Sequence, residues 1–116
     1  MLDTAQKGIL LASLVPYLAL SAYDGWLHEK ARRVPRAEQA LHALLAVSAI
    51  ALVYGLFSGR AWLAWPGLAL FVPAAIADEA GFHGMLERRE RRLHHVAYAC
   101  FAGFVAVAFA LGAFAA

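Results

Sequence analysis

Four apolar blocks, each about as long as a bilayer is thick, restrict what this chain can become more than any other feature. A membrane-spanning helix needs about 20 mostly apolar residues. The blocks run from about Ala5 to Tyr23, Ala40 to Phe57, Ala61 to Ala77 and Val96 to Phe114. They lift the hydrophobic share to 63% of 116 residues, against roughly 45–50% in an average soluble domain. Length allows one domain. The fold class that follows is all-α: an integral membrane four-helix bundle occupying residues 1–116 as a single domain. The short loops make neighbouring helices pack up and down.

The first block has the length of a signal peptide. Its lead-in, MLDTAQK, lacks a basic n-region, and Asp24 and Trp26 make a poor cleavage site, so the segment is expected to stay. Cys100, the only cysteine, leaves no intrachain disulfide and reads as a small buried apolar residue in helix 4.

Charge sets the orientation. Lys30, Arg32, Arg33 and Arg36 fall around the loop after helix 1, and Arg88, Arg89, Arg91 and Arg92 after helix 3; only Lys7 and Arg60 remain for the other side. Short basic loops stay in the cytoplasm. Loops 1 and 3 are therefore expected inside, and both termini outside, in a membrane of the bacterial inner-membrane type. Trp26 would mark the inner interface, Trp62 and Trp65 the outer one. The basic residues read as topology signals and headgroup contacts. They alternate with acids and lack an aromatic stacking platform, which argues against nucleic acid. The bilayer is the expected partner, with a homo-oligomer or a larger membrane complex open.

Two polar stretches interrupt the apolar blocks: DGWLHEKARRVPRAEQALH at 24–42 and DEAGFHGMLERRERRLHH at 78–95. They write carboxylate-x-x-x-His four times: Asp24 with His28, Glu38 with His42, Glu79 with His83, and Glu90 with His94. Residues four apart share one helix face, one turn above the other. Each pair can aim a carboxylate and an imidazole at one point. All five histidines, and every acid but Asp3, lie at this end of the blocks. The halves align as two helix hairpins, repeat one at about 5–58 and repeat two at about 61–114. Both hairpins start and finish outside, so the repeats are parallel, related by a pseudo-two-fold along the membrane normal.

Four carboxylates converging in a bundle of low dielectric repel, and ionisable groups inside a membrane domain mark function. Two divalent transition-metal ions would offset the four charges and use neutral imidazoles as ligands. Carboxylate with imidazole suits Fe, Mn or Zn. The expected ligands are Asp24, His28, Glu38, His42, Glu79, His83, Glu90 and His94. Asp78 competes with Glu79 for one place, His95 with His94 for another, and Glu87 is a further ligand candidate four residues beyond His83. Tyr98, four beyond His94, and Tyr17, seven before Asp24, are placed to hydrogen-bond ligands or carry a radical, with plain packing the first reading for Tyr17.

This pattern of inward carboxylate and histidine on all four helices resembles the ferritin-like di-iron and di-manganese carboxylate bundles. The resemblance covers the ligand ends, about a third of the chain. That family uses Glu-x-x-His on two helices and a lone Glu on the other two; this chain has the x-x-x spacing on all four and is richer in nitrogen. What the resemblance implies is a di-metal core. The leading expectation is a membrane oxidoreductase acting on oxygen or a lipid-soluble substrate. A di-zinc hydrolase, a b-type haem protein ligated by His42 and His94, and a non-enzymatic metal transporter or accessory subunit stay open as alternatives.

Overall fold

The first helix is started by a reciprocal cap. The backbone N–H of Gln6 donates to Asp3 Oδ1 at 2.8 Å, and the N–H of Asp3 donates to Gln6 Oε1 at 3.0 Å. This capping box satisfies two of the donors that a helix start leaves without intrahelical partners. In a computed structural model of the chain, describing residues 1–31, 36–82 and 88–115 (side chains of 1–26, 36–81 and 88–115), four helices follow in order. They are α1 (Thr4–Ala31), α2 (Arg36–Ser58), α3 (Ala61–Phe82) and α4 (Arg88–Ala110), with a 3₁₀ turn at Ala113–Ala115. No strand occurs among the described residues.

All four helices are long and apolar enough to cross a membrane, over Thr4–Trp26, Arg36–Ser58, Ala61–Gly81 and Arg88–Ala110. Helix α1 runs on past its apolar block to Ala31. Pro16, Pro66 and Pro73 lie inside helices. Pro66 is the sixth residue of α3. Spanning helices accommodate such residues because neighbouring groups re-satisfy the freed carbonyls.

The helices associate in two units. One holds α2, α3 and the C-terminal turn; the other holds α1 and α4. Each unit therefore takes one helix from each of the two halves read from the sequence.

In the α2–α3 unit the turn is as short as a helix hairpin allows. Gly59 adopts φ +70°, and the Arg60 N–H donates to the Gly55 carbonyl at 2.8 Å. That is a Schellman closure, with glycine at the left-handed position where a Cβ is unfavourable. Two other features bring the helices close. A Cβ on Gly55 would stand 2.6 Å from the backbone nitrogen of Ala64, and one on Gly67 2.6 Å from that of Leu52. Small residues at helix crossings let backbones approach, the usual basis of helix association in lipid. The buried stripe of α3 is Ala64, Gly67, Phe71, Ala74, Ala75 and Asp78, at three- and four-residue intervals. It faces Ser48, Leu52, Gly55 and Leu56 of α2. The C-terminal turn is pinned to this unit: Trp65 Nε1 donates to the Phe114 carbonyl at 3.2 Å, and the two rings lie 4.8 Å apart.

In the α1–α4 unit, Leu10 and Leu14 of α1 and Ala97, Phe101, Phe104 and Ala108 of α4 are buried. Tyr17 packs its ring 5.3 Å from Phe101. Tyr23 and Trp26 stack at 6.2 Å, and Arg89 reaches the Tyr23 hydroxyl at 3.4 Å. Cys100 is a free thiol, half-buried.

Candidate metal centre

The α2–α3 unit ends in three polar side chains on one spot. Glu38 is the third residue of α2, where the helix N-terminus favours a carboxylate, and it is 0% exposed. His42 follows one turn later on the same face and is half-exposed. Asp78 comes from α3, where it continues the buried stripe, and is 2% exposed. His42 Nε2 lies 3.4 Å from Asp78 Oδ1 and 3.8 Å from Glu38 Oε1. One ligand-capable atom from each residue falls within 4.8 Å of the others, a spacing that a metal ion can span.

These separations can be set beside those of two kinds of contact. Hydrogen bonds from nitrogen to oxygen cluster near 2.9–3.0 Å. Donors about 2.1 Å from a tetrahedral ion stand about 3.4 Å from one another. The 3.4 Å gap from His42 to Asp78 equals the tetrahedral spacing, and the 3.8 Å gap to Glu38 is longer than either. The donor set, two carboxylates and one imidazole, is the kind that Fe, Mn and Zn take.

The α1–α4 unit places related groups together. Asp24, on the inward stripe of α1, brings Oδ1 to 2.9 Å from His94 Nε2 on α4. His94 is 5% exposed. Glu90, one turn before His94, is 9% exposed. The His94 ring lies 6.4 Å from the Tyr98 ring, and Tyr17 on α1 hydrogen-bonds Ser21 and feels the charge of Asp24. Both tyrosines singled out from the sequence thus belong to this unit.

Several expected ligands have clear places. Glu38 with His42 sits at the head of α2, and Glu90 and His94 at the head of α4. Asp24 meets His94, on the helix that the spacing argument does not assign to it. Asp78 joins His42, while Glu79 is half-buried, one position off the stripe. His95 is exposed on the outer side of α4. The side chain of His28, and His83 and Glu87 altogether, lie outside the described residues. His42 and His94, the pair considered for haem, each face an aspartate within their own unit.

Spacing alone does not single out Asp78 over Glu79. Asp78 is legible as the last member of the series 64, 67, 71, 74/75, 78, which fixes the inward face of α3. No protein-family model, curated protein or solved structure matches this chain.

Proposed function

We propose that the protein is an integral membrane metalloprotein that holds a divalent transition-metal ion at Glu38, His42 and Asp78. The observation that carries this reading is the meeting of three ligand atoms within 4.8 Å, on two adjacent helices and with both carboxylates withdrawn from solvent. Two carboxylates at such depth repel and lose hydration, and a divalent cation offsets both costs. The oxygen-rich donor set favours Fe(II) or Mn(II), with Zn(II) also compatible.

Three protein ligands leave a coordination position for water or substrate, the arrangement of reactive rather than structural sites. The exposed flank of His42 gives that position an outlet. The chemistry that fits best is oxidation of a lipid-soluble substrate, or reaction with oxygen, at the membrane surface. The four spans cross up and down, with basic loops 1 and 3 in the cytoplasm of a bacterial inner membrane and both termini outside.

The test is elemental analysis of the full chain, purified in detergent from metal-replete cells, beside His42→Ala and Asp78→Asn. Each variant should carry one ion per chain fewer than the parent. Equal metal content in parent and both variants would overturn the reading.

A further inference from the structure

We propose that the α1–α4 unit carries a second site for a divalent first-row transition ion, built from Asp24, Glu90 and His94. The proposal leans on the reading of Glu38, His42 and Asp78 as a metal site, because the same residue types occupy the same places. Glu90 is the third residue of α4, as Glu38 is of α2. His94 follows Glu90 by one turn, as His42 follows Glu38. An aspartate near the end of the partner helix meets each histidine: Asp78 in one unit, Asp24 in the other. Both α2 and α4 have 23 residues, and the buried positions Glu38, Leu52 and Leu56 of α2 correspond in order to Glu90, Phe104 and Ala108 of α4.

A second observation is independent of that correspondence. Glu90 is 9% exposed and stands one turn before His94, on the same face of α4. A carboxylate so far withdrawn from water is costly unless it is neutralised, paired or metallated. Asp24 and His94 already hold a carboxylate oxygen and an imidazole nitrogen 2.9 Å apart. That gap is the ordinary length of an N–H···O hydrogen bond, and it also matches the spacing of about 3.0 Å between adjacent donors of an octahedral ion, so the pair can take an ion without moving apart. Glu90 supplies the third ligand after a rotamer change, and the ion offsets its charge.

The two sites differ in their surroundings. The Asp24–His94 site is the more enclosed, since His94 is buried where His42 is half-exposed. It alone is bordered by phenols, Tyr98 beside His94 and Tyr17 in the field of Asp24. It should therefore exchange its ion more slowly than the α2–α3 site.

The experiment is titration of metal-stripped full-length protein in detergent with Co(II) alone, read by visible absorption and by bound metal per chain. Parent protein should take up two ions. His94→Ala and the milder Asp24→Asn should each take up one, as should His42→Ala. Melting curves of metal-free parent and variants check that the variants are folded; Asp24→Asn, which keeps shape and volume, decides the matter where His94→Ala unfolds. Unchanged uptake in Asp24→Asn and His94→Ala overturns the second site and leaves the first standing. One ion in the parent, lost in Asp24→Asn but kept in His42→Ala, sustains the second site and overturns the first. No uptake by the parent overturns both and leaves Asp24 and His94 an ordinary ion pair.

Discussion

Gly67 of α3 lies so close to Leu52 of α2 that a Cβ on it would stand 2.6 Å from the Leu52 backbone nitrogen. The neighbour is main chain, which cannot swing aside as a side chain can. Gly67→Val should force the hairpin open, at a cost of about 1–3 kcal/mol or more. Gly103, on α4, has nothing within 4 Å of its would-be Cβ. Gly103→Ala should be neutral or stabilise by up to about 1 kcal/mol. Thermal unfolding in one detergent compares the two; a smaller loss at Gly67 than at Gly103 contradicts the close approach.

The α3 stripe predicts an asymmetry between neighbouring acids. Asp78→Asn should weaken metal binding at least about tenfold, the usual cost when an ion loses a charged ligand or its support. Glu79→Gln, one position off the stripe, should change affinity less than about twofold. Isothermal titration of metal-stripped protein with Mn(II) measures both. A larger effect at Glu79 would restore the i,i+4 pairing with His83 as the organising rule.

That contrast shows what the sequence holds and what it does not. Spans, helix polarity and the Glu38–His42 adjacency depend on near neighbours and on the 3.6-residue period, so they are legible in a single chain. Which of Asp78 and Glu79 turns inward depends on where α2 packs against α3. That contact is fixed by Gly55 and Gly67, far along the helices from the acids. The partnership of Asp24 with His94 is equally non-local. Spacing along α1 points Asp24 toward His28; only the packing of α1 on α4 delivers His94. The Asp3–Gln6 cap also passed unread, because an isolated Asp before an apolar run carries no feature that separates a cap from a solvated charge.

Metal removal should cost stability. A ligand that binds only the native state stabilises it by mass action, by about 2.7 kcal/mol at a free concentration one hundred times Kd. Melting of the purified protein with and without a strong chelator at neutral pH should show a lower midpoint in the chelated sample. Coincident curves would mean that Glu38, His42 and Asp78 form a polar cluster without an ion.

The C-terminal turn should act as a fastener for the α2–α3 unit. Trp65→Phe keeps the ring against Phe114 but removes the indole N–H, which donates to the Phe114 carbonyl. The loss should be about 0.5–1.5 kcal/mol, the net value of one hydrogen bond, read as a lowered unfolding midpoint. An unchanged midpoint would show that ring packing alone holds the turn.

Orientation follows from the placement of the basic residues. A reporter that fluoresces only in the cytoplasm, fused after Ala116, should stay dark, and a reporter active only outside should work there. The reverse pattern would turn the chain over in the membrane.

The tight turn at Gly59 has a consequence for the order of assembly. Glu38, His42 and Asp78 all lie on one helical hairpin whose arms are joined by a two-residue link. During synthesis this hairpin is complete before α4 leaves the ribosome, so its three polar side chains can meet while the chain is unfinished. Asp24 is made earlier than any of them, yet His94 is among the last polar groups to emerge. Until then Asp24 must wait without the partner it has in the finished protein. The hairpin at the centre of the chain can mature first, and the pair drawn from its two ends closes the molecule.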